Sequence, residues 1–155
     1  MKILITLVTL FLSCGTTNQS LNYTNSGAEA FSLVQTCIDA SLQLDPGLNT
    51  DSFLVDFTKV HNIDRNGIDS FLKQRKYISK TNLDSLFKHD STWKQGRYFQ
   101  KAVIRLEKIE KQRGDLLLIK TSKHKAADGS IGTEIILARK KSVYKLVSSK
   151  ITWIS

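Results

Sequence analysis

Cysteine, proline and methionine are nearly absent from this chain: two, one and one in 155 residues. Cys14 and Cys37 cannot build the multi-bridge framework that staples small secreted domains. A lone proline, Pro46, excludes collagen-like and polyproline architectures. No internal repeat is present, which excludes a solenoid. Its longest apolar run, beginning at Ile3, falls short of the roughly 20 residues a membrane-spanning helix needs. Neither a phosphate-cradling P-loop nor a G-x-S-x-G nucleophile turn occurs. His61, His89 and His124 lie far apart, without a second ligand at zinc-binding spacing, and read as solvated histidines. No metal and no cofactor is expected. One charge is missing as well: no Lys or Arg stands between Lys2 and Lys59.

What is present begins with an address. Met1-Lys2 is followed by ILITLVTLFLS, one cation and about eleven mostly apolar residues, and then by Cys14. A charged start, a short apolar stretch and a small residue before the cut describe an export signal. Phe11-Leu12-Ser13-Cys14 resembles the lipobox of bacterial lipoproteins, with Phe11 where leucine is usual. The resemblance implies cleavage after Ser13, diacylglycerol on the Cys14 sulfur and an acyl chain on the new amino terminus. Two or more chains anchor stably where a single one binds only reversibly. The expected layout is therefore a cleaved signal over 1–13, a flexible tether over 14–26 and one domain over 27–155. The tether, CGTTNQSLNYTNS, has no charge and no periodicity. Cys37 then has no partner and is expected on a buried helix face.

Within the domain, Ala30, Phe31, Val34, Cys37, Ile38, Ser41 and Leu42 recur at three- and four-residue steps, which predicts a helix over 27–43. Ser26 and Glu29 have the spacing of a capping box. Further helices are expected over 51–61, through Ile68–Leu72, and after Ser79 with Leu83, Leu86 and Phe87 inward. From Tyr98 onward the pattern changes. YFQKAVIRLEKI, DLLLIKTSK, TEIILAR and VYKLVSSKITWIS are short apolar or alternating runs joined by polar turns. The expected fold is α+β, with N-terminal helices on a C-terminal antiparallel sheet of three to four strands. That order resembles, in architecture only, the nuclear-transport-factor-2-like and cystatin-like folds.

Candidate sites are few. NIDRNGID places Asn62, Asp64, Asn66 and Gly67 like the start of a calcium loop, but Lys73 stands where the chelating carboxylate belongs. Asp64 or Asn66 capping the next helix is the better reading. STWKQGRYFQK sets Trp93 and Tyr98 beside Lys94, Arg97 and Lys101, a pattern suited to a binding rim for a sugar, a lipid or an anion. The competing reading has Trp93 and Phe99 sealing the helix–sheet core. Residues 57–155 hold 22 basic and nine acidic residues, a net +13. Strand alternation is expected to send the cations to the sheet face opposite the helices.

These observations point to a lipid-anchored protein of a bacterial envelope, facing the periplasm, that acts as a non-catalytic binding module. The expected partners are the membrane, through its anchor, and an anionic lipid, a polysaccharide or an acidic protein; nucleic acid is not expected. A small-molecule pocket protein or enzyme, and an immunity or inhibitor lipoprotein, are the alternatives.

Overall fold

A computed structural model describes residues 26–89, 100–126 and 129–155. Cys14, the tether up to residue 25 and four of the five rim residues, Trp93, Lys94, Arg97 and Tyr98, lie outside the described residues. Within them the fold is α+β, built on one six-stranded mixed sheet. In chain order it runs α1 (Gly27–Gln43), a 3₁₀ turn (Pro46–Leu48), β1 (Phe53–Asp56), α2 (Arg65–Gln74), β2 (Ile78–Thr81) and α3 (Leu83–His89). The strands β3 (Ala102–Lys111), β4 (Leu116–His124), β5 (Ser130–Lys140) and β6 (Val143–Ile154) complete it. The sheet order is β2-β1-β3-β4-β5-β6.

The first helix forms where the apolar spacing places it, but the capping box does not. Ser26 makes no side-chain cap. Glu29 is instead buried and pairs with Arg139 at 2.5 Å. The other end of α1 is held by an unusual cap. Lys123 on β4 is 1% exposed, and its ammonium donates to the Ser41 carbonyl at 3.1 Å, the Asp45 carbonyl at 2.8 Å, Asn49 Oδ1 at 3.0 Å and the Leu44 carbonyl. Burial lowers its pKa to about 8, so it remains a cation at neutral pH. The positive charge sits where the free carbonyls and dipole of α1 end.

The expected helix over 51–61 is corrected to a strand. Phe53-Leu54-Val55-Asp56 is an unbroken run of large and β-branched residues, with Phe53, Val55 and Asp56 buried. Such a run belongs to a strand covered on both faces, where alternation disappears. It pairs in parallel with β2 on one side and β3 on the other. The expected three to four antiparallel strands are thus four, joined by two short parallel ones through the crossovers β1–α2–β2 and β2–α3–β3.

Most of the core lies on one face of the sheet. Ala30, Val34, Cys37 and Ile38 of α1 pack with Phe71 of α2 over Val55, Ile104, Ile119 and Ile135. Cys37 is a free thiol with no exposed surface, and burial pushes its pKa up. Asp64 caps α2 by accepting from the Asn66 N–H at 3.0 Å. Gly67 is where α2 meets α1: a Cβ there would lie 2.5 Å from Ala30 Cβ and from the Gly27 carbonyl oxygen. The calcium-like spacing therefore serves a cap and a helix crossing. On the other face, α3 packs Leu83, Leu86 and Phe87 against Val103 and Leu54, with the Phe87 ring edge-on to His124 at 5.8 Å. The helices thus divide between the two faces. β6 forms one edge, and its Lys145, Lys150 and two register shifts blunt pairing with another chain.

Candidate functional site

The face of the sheet opposite α1 carries a polar row that no single segment of the sequence announces. Asp56 of β1 pairs in register with Arg105 of β3, Arg105 with Ser122 of β4, Ser122 with Gly132 of β5, and Gly132 with Trp153 of β6. Residues in register on one face are nearest neighbours, so five strands deliver one continuous line of side chains.

One end of the row is closed. Asp56 is fully buried and accepts from the Thr58 N–H at 2.7 Å, the Leu83 N–H at 2.8 Å and Arg105 Nε at 2.9 Å. Arg105 also donates to Asp84 of α3 at 2.5 Å, and Lys59 reaches Asp84 at 3.1 Å. Burial alone would raise the Asp56 pKa; the hydrogen bonds from Thr58, Leu83 and Arg105 outweigh it and hold the carboxyl below its usual range. Two carboxylates and two cations neutralise one another here, and the network fastens α3 to the sheet.

The middle of the row is a hydrogen-bonded chain. Ser122 donates to Glu107 Oε1 at 2.7 Å, so its 2.9 Å contact with His124 Nε2 is a donation from the imidazole. Nδ1 lies 2.9 Å from Ser130 Oγ, which itself donates to the Ala126 carbonyl at 3.0 Å. His124 is not the solvated histidine expected. Burial, and secondarily the charge of Arg105, lower its pKa to about 4. The carboxylate meets the serine rather than the second imidazole nitrogen, so the order is not that of a nucleophile–base–acid relay.

A histidine titrating near 4 when folded and near 6.5 when unfolded leaves the unfolded state binding more protons between those values. Stability is therefore full above pH 6.5 and falls as pH drops towards 4, by about 3 kcal/mol. Urea midpoints measured across this range check it. The slope should be absent in His124→Gln, and its persistence there would contradict the assignment.

The far end of the row is open. Trp153 is 44% exposed and lies flat on Gly132, where a Cβ would meet the indole at 1.9–2.5 Å. Only glycine admits the ring. The indole borders a cleft of about 350 Å³ lined by Glu107, Lys120, Ser122, Glu134 and Thr152. Register shifts fall at Glu107, between Leu106 and Lys108, and at Thr152, beside Trp153. Bulges re-aim side chains, and both border this cleft. Glu134 is held between Lys120 at 3.8 Å and Lys150 at 3.0 Å.

The expected basic face is thus a mixed one. Alternation does send Lys108, Lys120 and Lys150 there, but Lys108 pairs with Glu110 at 2.5 Å and the other two share Glu134. Of the rim residues, Lys101 alone is described; it is exposed just before β3. The meeting of Trp153 and Gly132 went unmarked in the sequence because they stand 21 positions apart and only strand pairing joins them. Among the described residues no group of three His, Cys, Asp or Glu side chains is placed to hold a metal, and no helix is long and apolar enough to cross a membrane. Comparison with protein-family models, curated proteins and solved structures returned no match for this chain.

Proposed function

We propose that this chain is a bacterial lipoprotein whose domain binds a saccharide of the cell envelope at the open end of the polar row. One observation carries the reading: a half-exposed indole fixed on Gly132 beside Glu107, Glu134, Lys120 and Thr152. Sugar rings present apolar C–H faces, which suit an aromatic plane, and hydroxyls, which suit flanking carboxylates and ammonium groups. The ring is pre-positioned, so little ordering entropy is lost on binding. Carboxylates and cations in balance favour a neutral or zwitterionic saccharide over a polyanion.

Calorimetric titration with a panel of envelope oligosaccharides tests this. The full chain should bind at least one member, and Trp153→Ala should weaken that binding about thirtyfold, the scale of a buried aromatic anchor. Equal affinity of the two proteins, or no binding by the unaltered chain, would reject the reading.

A further inference from the structure

Two hairpin tips stand side by side at one end of the sheet. The β3–β4 tip carries Lys111 and Arg113, and the β5–β6 tip carries Lys140 and Lys141; all four are exposed. The tips are joined by the Arg139 N–H donating to the Asp115 carbonyl at 2.8 Å. Arg139, between them, is engaged by Glu29. Asp115 is the one carboxylate in the two tips, 111–115 and 139–143. Gly114 and Lys141 turn the chain with φ of 67° and 58°. Val143, 50% exposed, adds an apolar residue to the same end.

The chain also enters the domain at this end. α1 begins at Gly27, and its first turn is tied to β5 by the Glu29–Arg139 pair. Further along, Ser32 Oγ accepts from the Tyr144 N–H at 2.9 Å, and Ser41 lies against Thr121 at 3.1 Å. The helix therefore runs from the tips towards the opposite end, where Lys123 caps it. A random coil of thirteen residues, the length of the expected tether, spans about 20 Å. A nine-residue strand such as β4 is about 30 Å long. An anchor at Cys14 thus holds the tips, rather than the opposite end, within reach of the bilayer.

We propose that the paired hairpin tips dock on anionic lipid headgroups, with Lys111, Arg113, Lys140 and Lys141 as the contacts, and so set the domain upright with the Trp153 cleft away from the bilayer. The proposal rests on the anchored reading of Cys14. Each cation near an anionic surface is worth about fivefold in binding, so four together bias the orientation by roughly six-hundredfold. The tether places the tips at the surface without a further association step.

The test uses lipidated protein purified from the envelope and reconstituted in vesicles of neutral phosphatidylcholine, with or without phosphatidylglycerol. Cys37 is buried, so an introduced cysteine is the reactive one. A fluorophore at Ser142→Cys marks the tips, and one at Ser155→Cys marks the opposite end, where Ser155 pairs with Ser130. Quenching by headgroup spin labels should be strong only for the Ser142→Cys probe in anionic vesicles. It should fall to the Ser155→Cys level in high salt, which screens exposed charges. The same fall is expected for the combined variant Lys111→Glu, Arg113→Glu, Lys140→Glu and Lys141→Glu. Equal quenching of both probes, or indifference to lipid charge, with the protein still on the vesicles, overturns docking alone. Failure to remain on the vesicles overturns the anchor and docking with it.

Discussion

Asp56→Ala should lower the stability of the domain by about 3–5 kcal/mol, the usual cost of removing one partner from a buried ion pair. Total stabilities are typically only about 5–15 kcal/mol, so this one substitution brings the fold near its limit. Three donors lose their acceptor together: the Thr58 and Leu83 N–H groups and Arg105 Nε. Among the described residues, Arg105, 7% exposed, would retain only the more exposed Asp84 as an ion-pair partner. Asp56→Asn keeps an acceptor oxygen without the charge and should fall between the two. Denaturant midpoints measure both. A cost below about 1 kcal/mol for Asp56→Ala would mean that Arg105 finds water or another partner, and the account of how α3 is fastened would be wrong. Because the Asp56 pKa is held down, its contribution is present above the usual carboxylate range and disappears as pH falls through the folded value.

How much of this was legible beforehand depends on the range of the interactions. α1 was readable because its face is written locally, in Ala30, Val34, Cys37 and Ile38. β4, β5 and β6 were readable because short polar turns separate them. β1 was not, since FLVDF carries apolar residues at both helical and strand periods and its identity is fixed by partners at Ile78 and Ala102. The rim expected around Trp93–Lys101 rests on residues adjacent in sequence and, apart from Lys101, lies outside the described residues. The cleft assembles Glu107, Ser122, Glu134 and Trp153 from four strands, which no local pattern could join. Gly132 closes the stretch ADGSIG, which reads as a turn before TEIILAR, whereas it stands inside β5 against the indole. Similarly, the surplus of cations was visible in composition, but register decides which ones meet a carboxylate. Lys120 and Lys150 meet Glu134, while Lys140 and Lys141 at a tip are exposed.

The second large effect concerns Cys14, on which both the proposed envelope location and the proposed orientation of the cleft depend. Cys14→Ala removes the only sulfur in the proposed Phe11–Cys14 signal, so every acyl chain should be lost, with no intermediate outcome. The domain itself begins at Gly27, so its folding should be unaffected. Intact mass spectrometry of the full-length protein expressed in a bacterium and extracted from its envelope decides the matter. The account predicts a mature chain that starts at residue 14 and carries diacylglycerol plus an N-linked acyl group, both absent from Cys14→Ala. A wild-type chain that retains residues 1–13, or that is cut elsewhere and bears no acyl mass, would contradict it.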